Sequence, residues 1–228
     1  MPRLLAAAVL CSFFVAPLSA RLAAQDYKAE KLAEAAPAEA ISPEIAALLQ
    51  PTGFKVVRGE SRTVCEIWLA KAWPIKEAKN NSGEVLYPFQ PGQVIGVARY
   101  SRKGSDFRDQ DIEAGVYVLR YSQQPVDGAH VGTSPTRDFL AVLPAEKDRK
   151  PDVLDYKTLV TASKETTGSN HPAILSLQRL PEGAREPLSM RHDEEKDWWI
   201  VRFVGKTVLG KEATDQVVEM VVVGVAAE

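Results

Sequence analysis

The chain has 228 residues, with 28 Lys and Arg against 30 Asp and Glu, a formal net charge of −2. That near-balance excludes the basic bias of a nucleic-acid binder, and the length suits one domain whose core needs no staples. The two cysteines are Cys11 and Cys65.

Arg3 precedes an apolar stretch from Leu4 to Leu18, broken by Ser12 and Pro17, and Ser19-Ala20 follows. This layout predicts a secretory signal peptide over residues 1–20, cleaved near Ala20 or Ala24. The stretch falls short of the roughly 20 residues of a membrane-crossing helix, and no later segment is long and apolar enough. The expectation is a soluble secreted or periplasmic chain with no membrane span after cleavage. Cleavage also removes Cys11, which leaves Cys65 without a disulfide partner and reads it as a small core residue.

Residues 21–41, rich in Ala, Glu and Lys with Pro37, are expected to form a flexible tether, and residues 42–228 a single domain. Ser42-Pro43-Glu44 makes a helix start, with Ile45, Leu48 and Leu49 on one apolar face. Pro51-Thr52-Gly53 ends it. Beyond Gly53 come short runs of Val, Ile, Tyr and Trp between Gly, Pro, Asn and Asp clusters, the pattern of an all-β fold. About eight strands are predicted, near residues 54–59, 62–73, 93–101, 115–122, 138–144, 173–180, 197–209 and 216–226. The fold class expected is mainly β: a β-sandwich, jelly-roll-like, with a short N-terminal helix and one short helix in a connection. That second helix is predicted to be capped by Asp152 and to run to about Lys164, with Val153, Tyr156 and Val160 on one side.

Side chains alternate across a strand, so the run at Trp198 separates into two faces. Trp199, Val201 and Phe203 form the apolar one, which makes Trp199 the expected core residue. Trp198 shares the other with Ile200, Arg202, Val204 and Lys206, and is expected to be partly exposed. The last strand, Val217 to Val225, is apolar on both faces except for Glu219, which predicts a central strand covered on each side.

The longest irregular connection, Tyr121 to Asp138, gathers Gln123, Gln124, Asp127, His130, Ser134, Arg137 and Asp138. Long loops in compact domains are often functional, although Asp127-Gly128 is also an ordinary turn pair. Asp127, His130, His171 and His192 offer oxygen and imidazole ligands for a divalent metal if the fold gathers them, but no HExxH or CxxC spacing is present. There is no GxSxG elbow, no GxGxxG and no Walker loop, so neither a serine nucleophile nor a nucleotide cofactor is expected. Trp198 is a candidate stacking surface for a sugar or peptide, against the commoner use of strand aromatics in packing.

The segments ESRTVCEIWLAK, IEAGVYVLRYSQQPVDGAHVGTSPTRDFLAVLPA, SNHPAILSL and DWWIV resemble an uncharacterised family of secreted bacterial proteins. The likeness covers most of the chain after Gly53, and AGVYVLRY is also similar to a strand motif in a second family with a β-sandwich fold. The resemblance implies export and β architecture, and brings no activity. The leading expectation is a non-catalytic protein that binds a small molecule, glycan or protein through Gln123, Gln124, Asp127, His130, Arg137, Asp138 and Trp198. A metal-dependent hydrolase using Asp127, His130, His171 and His192, and a structural subunit of an envelope assembly, remain as alternatives.

Overall fold

A computed structural model describes residues 26–77, 85–125, 136–184 and 186–226. The chain opens with β1 (Tyr27–Leu32), a 3-10 turn at Ala38–Ala40 and α1 (Pro43–Leu48). Strands β2 (Gly53–Arg58), β3 (Arg62–Leu69), β4 (Trp73–Pro74) and β5 (Val94–Tyr100) follow. The short pair β6 (Gly104–Ser105) and β7 (Asp111–Ile112) leads to β8 (Gly115–Gln123) and β9 (Asp138–Pro144). Helix α2 (Tyr156–Thr167) precedes β10 (Ile174–Gln178), β11 (Ser189–Asp193), β12 (Trp198–Leu209) and β13 (Glu212–Val223). No helix among the described residues is long and apolar enough to cross a membrane.

The all-β class holds, but ten of the strands form one antiparallel sheet rather than two faces of a sandwich, with β4 added in parallel and β6-β7 a separate pair, and the strands outnumber the eight predicted. The order is β1-β2-β3-β5-β8-β9-β10-β13-β12-β11. The corner is β10, which pairs with β9 through Ile174, Leu175 and Ser176 and with β13 through Leu177 and Gln178. Because one strand serves both halves, the sheet rolls until β1 and β11 lie side by side, a nearly closed barrel. The outer edge of β12 is shared: β11 pairs with Trp198 to Arg202, and β4 runs parallel to Thr207 and Val208. Trp73 in β4 donates from Nε1 to the Ile95 carbonyl at 2.9 Å, and its ring lies on Gly205, where no Cβ has room.

Alternation divides the side chains between an inner and an outer layer. Phe54 and Phe203 stack at 5.4 Å, in a core with Val56, Ile67, Leu119 and Met220. Outside, α1 lays Ile45 and Leu49 over Trp68, Val94 and Val97. Leu159 of α2 packs on Phe139, Ala141 and Leu143. β13 is central as predicted, between β10 and β12.

Three further expectations need correction. Within the expected tether, Tyr27–Leu32 is a strand in register with β2, from Tyr27 opposite Arg58 to Leu32 opposite Gly53. Its Tyr27 and Ala29 pack on the barrel core, so pairing and burial override the weak β preference of Ala, Lys and Glu. The cap of α2 is Asp155, whose side chain accepts from the Thr158 N–H at 3.0 Å; Leu159, Ser163 and Thr166 are buried, while Val153 and Tyr156 are exposed. Asp152 lies ahead of the helix, its carbonyl taken by Arg120. Trp198, not Trp199, is the more buried ring, at 3 % exposure. The outer face of β12 is covered there by Phe107, whose ring meets Trp198 edge-on at 5.1 Å, and Trp198 Nε1 donates to the Val225 carbonyl at 2.7 Å.

Candidate functional site

Arg120 is fully buried on β8 and uses all five of its N–H donors. Nε and Nη2 hold the two Asp148 oxygens at 2.6 and 2.7 Å, Nη1 reaches the Gly92 and Asp152 carbonyls, and Nη2 also reaches Lys150. The guanidinium thus shapes the 148–152 segment and leaves nothing for a ligand. Asp106 is similar: its carboxylate accepts from the backbone of Arg108, Gln110 and Ile174. Burial raises its pKa, against those donors.

At the base of the long predicted loop, Asp138 is buried and accepts from the Leu86 and Tyr87 backbone at 2.9 and 3.2 Å and from the Tyr121 hydroxyl at 2.5 Å. Gln123 donates to that same hydroxyl at 2.9 Å. Burial, then the Asp138 charge, pushes the Tyr121 phenol well above its ordinary pKa. Arg137 donates through Nε and Nη2 to the Gln124 carbonyl at 2.9 and 2.7 Å. Gln123, Arg137 and Asp138 therefore hold the two ends of the loop together. Asp127 and His130 lie outside the described residues.

Glu219 on β13 is fully buried between two arginines. Its Oε1 accepts from Arg202 and its Oε2 from Arg191, each at 2.7 Å at closest. Its backbone N–H donates to the Tyr87 hydroxyl at 3.0 Å, and that hydroxyl donates to Gln178. The group is a satisfied network, in which each charge has its counterpart within hydrogen-bond reach.

The histidines have separate settings. His171 closes the turn after α2, its N–H donating to Ser169 Oγ at 3.0 Å. His192 on β11 stacks on Trp199 at 4.4 Å, with Nε2 2.8 Å from Asp197. Among the described residues no three His, Cys, Asp or Glu side chains converge as metal ligands. Cys65 is buried as predicted, and burial pushes its thiol up to about 12, so it is no thiolate at neutral pH. Trp198 offers no ring face to a glycan, for the packing reason already described.

A further feature is the seam where the two edge strands of the sheet, β1 and β11, meet. One end is closed by three rings: Tyr27 lies tilted 5.0 Å from Trp199, and His192 stacks on Trp199 at 4.4 Å. At the other end the seam opens into a recess of about 440 Å³. Leu32, Phe54, Leu69, Leu188 and Phe203 form its apolar walls, and Lys31, Gln50 and Thr52 supply its polar side chains. Lys31 follows Tyr27 and Ala29 on the inward face of β1, opposite Phe54, yet remains exposed. No motif announced this site. Its walls come from residues 31–33, 50–54, 69, 187–188 and 203–204, which only barrel closure brings together.

No protein-family model matches the chain, and neither the curated proteins nor the solved structures give a match.

Proposed function

We propose that this chain is an exported, non-catalytic binding protein that takes a small, largely apolar molecule into the recess at the open end of its seam. The observation that carries the reading is the recess itself. Its 440 Å³ falls within the roughly 300–1,000 Å³ of ordinary ligand sites. Its walls lead to the core pair Phe54 and Phe203, and its polar groups stand among apolar ones, the usual balance of such sites. Binding is favoured over turnover because the lining contains no carboxylate, imidazole or thiol among the described residues. The buried carboxylates Asp138, Asp148 and Glu219 are committed to the fold. Export rests on the apolar leader at residues 1–20, which precede the described residues.

The test is titration with the neutral solvatochromic dye Nile red. Wild type should give saturable, blue-shifted emission at one dye per chain. Leu188→Trp, which fills the recess from its half-buried rim, should abolish that signal while leaving the circular dichroism spectrum unchanged. An absence of saturable binding, or equal binding by the variant, overturns the reading.

A further inference from the structure

We infer that the recess selects a single-chain amphiphile with a carboxylate head, a fatty-acid-like molecule, and that Lys31 holds the head. The inference rests on the reading of the recess as an apolar ligand site and adds the chemistry of its mouth.

Three observations around β1 carry it. The outward lysines are neutralised in place: Lys28 Nζ lies 2.7 Å and Lys55 Nζ 3.2 Å from the same Glu30 carboxylate. Lys31, on the opposite face, makes no ion pair among the described residues and is the one charged residue lining the recess there. Beside it stand the Thr52 hydroxyl and the Gln50 amide, the latter donating only a long 3.4 Å bond to the Ala70 carbonyl. The mouth therefore presents an ammonium and further donors, with no carboxylate among the described lining residues to satisfy them.

The size of that charge sets the head group. One ammonium matches a singly charged carboxylate, whereas a phosphate is better met by guanidinium forks or several donors. Arg58, the nearest arginine on the neighbouring strand, sits over the Tyr27 ring at 5.9 Å, at the far end of the strand pair. An apolar chain behind the head would enter between the Phe54 and Phe203 walls, and each added methylene should raise affinity about fourfold until the recess is full.

The experiment is displacement of Nile red at pH 8 by decanoate, decanol and decyltrimethylammonium, from wild type and from Lys31→Met and Lys31→Arg. Wild type should bind decanoate roughly tenfold tighter than decanol, and the cation weakest. Lys31→Met should remove the decanoate advantage and change decanol less than about twofold, because the methionine keeps the apolar stem. Lys31→Arg should preserve the preference. If decanol equals decanoate in wild type, or the preference survives Lys31→Met, the head-group assignment fails while the recess stands. If no compound displaces the dye and Leu188→Trp leaves dye binding intact, the recess reading itself falls, and this inference with it.

Discussion

Arg120 and Lys31 are both cations set against apolar walls, and the fold treats them in opposite ways. Arg120 is fully buried with every donor used, tying β8 to Gly92 and to the 148–152 segment. Lys31 stands exposed at the mouth of the seam with no anion beside it among the described residues. A buried charge survives only with its partners, so a completely satisfied guanidinium marks architecture. A lone ammonium over an apolar recess can stay only because water reaches it, and that same access leaves it open to a ligand.

The largest expected effect breaks the satisfied side of that contrast. Arg120→Met strands the Asp148 carboxylate and should cost about 3–5 kcal/mol in urea unfolding. Adding Asp148→Asn should cost much less than its single-variant effect, because the two groups act as one unit. A simple sum of the two would show that Arg120 acts alone. Cys65 sharpens the same rule for a buried group with no ionic partner among the described residues. Its thiol stays neutral to about pH 12, whereas an unfolded thiol ionises near 9, so the unfolded chain holds fewer protons between those values. Stability should then fall as pH rises from 9 toward 12, and Cys65→Ala should flatten part of that slope. Equal slopes in both proteins would refute the burial argument.

A smaller effect tests the seam. The Tyr27, Trp199 and His192 stack closes the end opposite Lys31, so Trp199→Ala should cost about 2 kcal/mol and speed amide hydrogen exchange in β1 and β11. Unchanged exchange there would mean the rings do not hold the seam. Smallest of all, Lys31→Met should change stability by no more than about 0.5 kcal/mol, as expected of an exposed residue outside any network. A larger loss would make Lys31 a structural cation like Arg120.

The sequence expectations succeeded and failed for definite reasons. The strands around Val97, Val118, Val142 and Val218 were legible because β-branched runs bounded by turn residues leave few alternatives. The hairpin between β12 and β13 turns at Gly210, where φ is +62°, a conformation glycine adopts without strain. β1 was missed because Tyr27–Leu32 carries little β preference of its own and becomes a strand by pairing with β2. β11 was missed because Ser189–Asp193 is largely polar, with Arg191 drawn to Glu219 on β13. The two faces of β12 were separable by counting, but which one is more deeply covered depended on Phe107, some 90 residues away in the chain. Of the loop residues, Gln123, Arg137 and Asp138 are polar for reasons of closure that composition cannot distinguish from binding.

By itself the sequence determined the β class, the helix start at Ser42, the central place of β13 and the burial of Cys65, because each follows from local alternation, capping or apolar content. Tertiary structure alone decided that most of the strands form one rolled sheet, that its edges β1 and β11 face each other, and that Lys31, Leu188 and Phe203 share a recess. The physical reason is range. Periodicity reports which side of a strand is apolar, whereas a site assembled from residues 31 to 204 exists only after barrel closure brings distant strands into register.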